Sequence, residues 1–185
     1  MKSKILILIG IIFILISFSL IIYNKYEDKK AGKKAKETVD KIEENLSTIK
    51  DEKIDEIKII NIDGYDYIGK INIPVLNLEL PIMSDWDYKK MKISPCRYYG
   101  SFITNDLVIC AHAYQNFFAN IKTLKQKDKL VLTDMLNNEY IYEVELVEVL
   151  SSYEVKEMIE SEFDLTLFTC TDDNQNRITV RLNRI

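Results

Sequence analysis

The chain has 185 residues, of which 47% are hydrophobic and 29% charged, with a formal net charge of -4. That length suits one domain with an appendage rather than two separate cores. Its 25 basic residues face 29 acidic ones, and no basic block in the folded part suits a phosphate backbone, which argues against nucleic acid as a partner.

The first element is apolar. Residues 5–24 carry no ionisable side chain except Tyr23, and the run ILILIGIIFILISFSLII is long enough to cross a hydrocarbon core of about 30 Å as a helix. It exceeds the roughly 7 to 15 residues of a signal-peptide core, and no small-x-small cleavage site follows it, so an uncleaved membrane anchor is expected. Lys2 and Lys4 precede the run, whereas Lys25, Lys29, Lys30, Lys33, Lys34 and Lys36 follow it. Counted by the positive-inside rule, those lysines would leave the rest of the chain in the cytoplasm.

Residues 25–57 are dominated by Lys, Glu and Asp, contain no proline, and have Gly32 as their one glycine. That composition predicts a charged helical stalk. Val39, Ile42, Leu46 and Ile49 recur at spacings of three and four, forming one apolar stripe that is expected to pack against the domain that follows.

From about residue 65 the texture changes to short β-rich runs: YIGKINIP, LNLELPIM, DLVICAH, KLVLTD, EYIYEVELVEVL, LTLFTC and RITVRL. Several alternate apolar and polar residues, and turn-like stretches separate them. The fold class is therefore all-β, and a closed or nearly closed barrel of about eight strands is the economical architecture. Helical inserts are expected near 87–92 and 154–160, with a short turn near 117–124.

Three residues of different chemistry stand at strand ends. His112, the one histidine of the chain, follows LVICA; Cys170 ends LTLFTC; Arg177 opens RITVRL. A cysteine thiolate can attack a carbonyl while an imidazole takes a proton and returns it to a leaving amine. A cation can stabilise the oxyanion that develops. Taken singly, such residues are commonly a core thiol, a structural histidine and a surface arginine, and spacing alone does not bring them together. Three cysteines, an odd number, do not make a disulfide framework, although Cys96 and Cys110 remain a conceivable pair. A zinc site from Cys96, Cys110, His112 and Cys170 lacks any CxxC or HxxxH pair to support it.

At these residues the chain resembles the sortase family. The similarity runs through LVICAHAY, NIKTLKQKDKLVLTD, LTLFTC (which fits the pattern Thr-Leu-x-Thr-Cys) and RITVRL, with YIGKINIPVLNLELPI like the family's opening strands. It covers roughly residues 65–185. What the resemblance implies is an eight-stranded sortase-like β-barrel at 61–185, preceded by a membrane anchor at 1–24 and a stalk at 25–60. Its activity would be that of a cysteine transpeptidase. Such an enzyme cuts an LPxTG-like sorting signal of secreted proteins through a thioester and passes the acyl group to an amine of a cell-wall precursor or a pilin lysine. Carried onto this chain, Cys170 would be the nucleophile, His112 the acid/base and Arg177 the oxyanion stabiliser, with Thr169 helping to bind substrate or shape the site. No metal or other cofactor is required by that chemistry. The barrel would lie outside a Gram-positive-type cell membrane, against the lysine count.

Two departures stand out. Ala111 occupies a position where many relatives carry glycine before the histidine, and the loop TDDNQN between Cys170 and Arg177 is short. Arg181 shares a strand face with Arg177 and is the runner-up cation. A cysteine peptidase that releases its acyl group to water, and a non-catalytic membrane-tethered β-domain adaptor, are the competing readings.

Overall fold

The structure is a computed structural model that describes residues 2–46 and 56–185. It opens with one unbroken helix, α1 (Lys2–Leu46), roughly 68 Å long at 1.5 Å per residue. The segments expected as anchor and stalk thus share one continuous helix up to Leu46. Its first part is long and apolar enough to cross a membrane, with a mean hydropathy of 3.3 over an 18-residue window and none of that window buried. The hydroxyl of Ser17 donates to the Phe13 carbonyl at 3.0 Å, one turn back along the helix.

Beyond Tyr26 the same helix packs on the barrel. Ala31, Ala35, Thr38, Val39, Ile42 and Leu46 are all buried, and their spacing of three and four sets them on one face. The expected stripe therefore belongs to the domain's packing; Ile49 lies outside the described residues. Ion pairs flank the seam, Lys41 with Asp63 at 2.6 Å and Lys70 with Glu43 at 2.5 Å.

Nine strands follow: β1 (Ile60–Ile62), β2 (Tyr65–Ile73), β3 (Leu78–Met83), β4 (Cys96–Tyr99), β5 (Leu107–Cys110), β6 (Lys129–Asp134), β7 (Glu139–Ser151), β8 (Leu165–Cys170) and β9 (Asn176–Arg184). They pair in the order β1-β2-β3-β4-β5-β8-β9-β7-β6, and β6 returns to pair with β2. Eight strands, β2 to β9, therefore close a barrel, with β1 hydrogen-bonded to the free end of β2 as a ninth. A single-turn helix, α2 (Val155–Ile159), links β7 to β8. The insert near 87–92 is a 3-10 turn at Lys90–Lys92, and the one near 117–124 is a 3-10 turn at Ile121–Thr123.

Alternation along β8 sorts the side chains. Leu165 and Leu167 join Ile109, Val180 and Leu182 in the barrel core. Phe168 faces the other way and joins Cys110, Met91 and Met158 in a second cluster on the outer wall. Cys170 shares the parity of Phe168, so the barrel presents its thiol outward, beneath α2 and the 3-10 turn.

Candidate active site

Three neighbouring strands carry the expected residues: β8 ends in Cys170, β9 carries Arg177, and His112 follows β5 by two residues. Cys170, the last residue of β8, is the direct cross-strand partner of Arg177 on β9. Opposed residues on antiparallel strands carry their side chains on one face about 5 Å apart. On the other flank β5 runs parallel to β8, with Cys110 beside Phe168. Pairing continues past the strand end, because the Ala111 amide donates to the Phe168 carbonyl at 3.2 Å. Extended two residues beyond its last pair, Cys110 with Phe168, that register would bring His112 level with Cys170. The chain then bends away as the His112 amide donates to the Met91 carbonyl at 3.2 Å.

Thr169 is wholly buried, and its hydroxyl donates to the Ala111 carbonyl at 2.8 Å. It reaches the site by tying the end of β8 to the exit of β5, not by facing the groove. Arg177 leans over the short loop and donates from Nη1 to the carbonyls of Asn176 at 2.9 Å and Asn174 at 3.3 Å. Its remaining N–H groups have no protein partner among the described residues. The loop braces itself: the Thr171 amide donates to the Asn176 carbonyl at 3.0 Å, and the Asn176 amide donates back to the Thr171 hydroxyl at 3.1 Å.

Arg181, the runner-up cation, is occupied elsewhere. It is buried, donates to the Glu148 carboxylate at 2.8 Å and the Thr166 hydroxyl at 2.9 Å, and caps the carbonyls of Glu157 and Met158. Those bonds fasten α2 to the barrel and leave little of the guanidinium for a substrate.

Two hollows are lined by the three residues. The first, of about 150 Å3, is lined by Cys110, Cys170 and Arg177 and walled by Trp86, Tyr98, Phe168 and Met158. Its aromatic wall is continuous, with ring centroids 5.1 Å apart for both Trp86 with Tyr98 and Tyr98 with Phe168. The second, of about 390 Å3, is lined by His112 and Tyr114 from the barrel and by Tyr23, Asn24, Lys25, Glu27 and Asp28 from α1. The anchor helix as a wall of this site is invisible in the sequence, because nothing local links residues 23–28 to residues 112–116.

Cys170 and Arg177 line the first hollow, whereas His112 lines the second. Its ring meets Tyr114 edge-on at 4.3 Å, and no side-chain hydrogen bond holds it among the described residues. Burial and then nearby Lys92 push the imidazole below its ordinary value of 6.5, against an opposing pull from Asp28. The neutral, proton-accepting form is thereby favoured. Asp28 also fixes the loop behind the histidine, accepting from the backbone amides of Gln115 at 3.3 Å and Asn116 at 3.1 Å. Gly32 permits that approach, since a Cβ there would stand 2.7 Å from the Asn116 Cβ.

All three cysteines are free. Cys96 and Cys110 are cross-strand partners on β4 and β5, and both are fully buried. Burial pushes the Cys96 thiol up to about 12 and raises that of Cys110 further. Cys170 is the partly exposed one.

Comparison with known proteins identifies the family and the fold. Residues 71–185 match the Sortase domain family. Sortase A of Bacillus anthracis is 26% identical over 199 residues, covering 97% of this chain and 94% of the relative. Among solved structures, sortase A from Corynebacterium diphtheriae superposes with a TM-score of 0.57 at 26% identity over 65% of this chain, which spans 61% of that protein. Sortase C of Clostridium perfringens, solved with the C-terminal cell wall sorting motif, gives 0.58 at 25% identity, covering 80% of this chain and 90% of that one. The closed eight-stranded barrel and the matched domain together show that the chain belongs to the sortase family.

Proposed function

We propose that the protein is a membrane-anchored transpeptidase that cleaves a C-terminal sorting signal of secreted proteins and joins the new carboxyl end to an amine. The observation that carries this reading is the direct pairing of Cys170 with Arg177, with the end of β5 delivering His112 on the other flank. Cys170 attacks the scissile carbonyl as thiolate. Arg177 stabilises the oxyanion, for which its unpaired guanidinium N–H groups are available. His112 takes the thiol proton of Cys170, gives it to the leaving amine and later takes a proton from the incoming one. Thr169 acts as a positioning residue, holding the strand ends that carry the nucleophile and the base.

The aromatic hollow beside Cys170 suits the apolar Leu and Pro of an LPxTG-like signal. The sorting motif in the Clostridium perfringens relative supports that substrate class. The accepting amine would belong to a cell-wall precursor or a pilin lysine, and the catalytic unit at 61–185 would sit on the outer side of the cell membrane. Mass spectrometry of the full chain mixed with a panel of sorting-signal peptides tests the reading. A thioester adduct on Cys170, lost in Cys170→Ala, is expected; no adduct with any peptide overturns it.

A further inference from the structure

A transpeptidase must admit two substrates, and the base that serves the second must be reachable from where that substrate binds. The two hollows differ in both position and chemistry. One is aromatic and holds the thiol and the arginine; the other is polar, larger, and holds the imidazole. We infer that the hollow between α1 and His112 is the subsite for the accepting amine, with the anchor helix as its wall and Glu27 as the group that holds the amine. This rests on the transpeptidase reading given above.

Glu27 is the carboxylate without a partner in that hollow, which Lys25 and Lys92 also line. It is half-buried, yet it has no ion pair or hydrogen bond among the described residues. Asp28, its neighbour, is committed to the backbone of Gln115 and Asn116. Tyr114 bridges the two sides of the hollow: its ring touches His112, and burial followed by the charges of Glu27 and Asp28 pushes its hydroxyl up. A primary ammonium entering here meets a free carboxylate and the rings of Tyr23 and Tyr114, the surroundings that hold such a group. His112 waits in the neutral form at the far wall. Before the transfer step the ammonium gives one proton to water, and the free amine nitrogen then bonds to the acyl carbon while the carbon–sulfur bond breaks. The electron pair returns to Cys170, and the nitrogen's proton passes to His112.

Depth points to where the amine comes from. The hollow uses residues 23–28, which directly follow the apolar run and extend only about 9 Å along the helix. The headgroup layer on one side of a bilayer is roughly 5 to 7 Å thick. An amine carried on a membrane lipid is therefore presented at the level of the hollow, whereas an amine on a soluble chain must descend to it.

The test uses the full chain in phosphatidylglycerol and phosphatidylcholine nanodiscs, acylated with a pool of LPxTG-type peptides. The thioester is then partitioned between water and two probes, a lipid whose headgroup ends in a glycine amine and soluble triglycine. The lipid-borne amine is expected to capture at least about tenfold more acyl group at equal amine concentration. Glu27→Gln should lower that capture relative to hydrolysis by about tenfold, the scale of one lost charge-assisted contact. Asn24→Trp, which fills the hollow from an exposed position, should do the same, while Lys30→Gln on the exposed side of the same helix should not. Equal capture in wild type, Glu27→Gln and Asn24→Trp overturns the subsite, and preference for triglycine overturns its membrane source. Failure of every peptide to acylate Cys170 sinks the transpeptidase reading, and this inference with it.

Discussion

Asp28 and Asn116 are joined by three hydrogen bonds across 88 residues of sequence: the Asn116 backbone and side-chain amides donate to Oδ1 of Asp28 at 3.1 and 2.8 Å, and the side-chain amide also reaches the Asp28 carbonyl at 3.4 Å. This clamp joins α1, whose first part is long and apolar enough to cross a membrane, to the loop that follows His112. The apolar part of α1 is thus continuous, through one helix, with a segment fastened beside the site.

A chain that begins at Glu56 keeps all nine strands but loses the helical face formed by Ala31, Ala35, Thr38, Val39, Ile42 and Leu46. It should unfold at lower denaturant than a chain that begins at Lys25, and expose the surface around Tyr67 and Met83 to aggregation. In the longer chain Ile42→Ala should cost about 2 to 5 kcal/mol, because a wholly buried side chain is replaced by a cavity. Equal denaturation midpoints for the two chains would show that the helix is only a spacer.

Thiol chemistry should single out one cysteine. Cys96 and Cys110 are fully buried with their thiols held protonated, whereas Cys170 borders a hollow. Brief treatment of the folded protein with iodoacetamide at pH 8 should add one group, at Cys170, and none in Cys170→Ala. Denaturant should release the other two. Comparable early labelling of Cys96 would count against this arrangement of the wall.

The barrel was legible because alternation survives in its long strands. LTLFTC and RITVRL give away both the inner face and the outward Cys170 and Arg177. Two strands escaped notice for physical reasons. β4 makes only one pairing with β3, Met83 with Cys96, and so carries little periodic signal. β1 is three residues long, although its Asp63-Gly64 turn, with both residues at positive φ, is a hairpin signature that was available. Arg181 looked equivalent to Arg177 because shared parity sets only the face. Its burial and its bonds to α2 distinguish the two, and both depend on tertiary neighbours. The same is true of Glu27 and Asp28, whose partners lie far along the chain.

The two arginines should fail differently. Arg177→Ala should slow acylation by about 100 to 1,000-fold with little change in stability, and Arg177→Lys should recover part of the loss, since it restores charge without the planar fork. Arg181→Met should instead destabilise the fold by on the order of 3 kcal/mol, because Glu148, Thr166 and two carbonyls lose their donor. Paired measurement of acylation rate and denaturation midpoint separates the two effects. Loss of acylation at full stability in Arg181→Met, with Arg177→Ala unaffected, would reverse the assignment.

The lone histidine makes the last prediction clean, since a single imidazole signal can be followed by NMR as pH is varied. Burial and Lys92 disfavour the imidazolium in the folded chain, so His112 should titrate below 6.5. Lys92→Gln removes a cation and should move the midpoint up. Asp28→Asn removes an anion, and while its amide oxygen keeps one acceptor for the loop, the midpoint should move down. The acid limb of the acyl-transfer rate should shift with the NMR midpoint in each variant, because His112 must be neutral to accept the amine's proton. Stability follows the same linkage. As pH falls below about 6.5 the unfolded chain binds its proton first, so the contribution of neutral His112 is complete above that pH and is lost down to the folded midpoint. An NMR midpoint at or above 6.5, or a rate limb that ignores Lys92→Gln, would show that His112 does not sit in the electrostatic setting described.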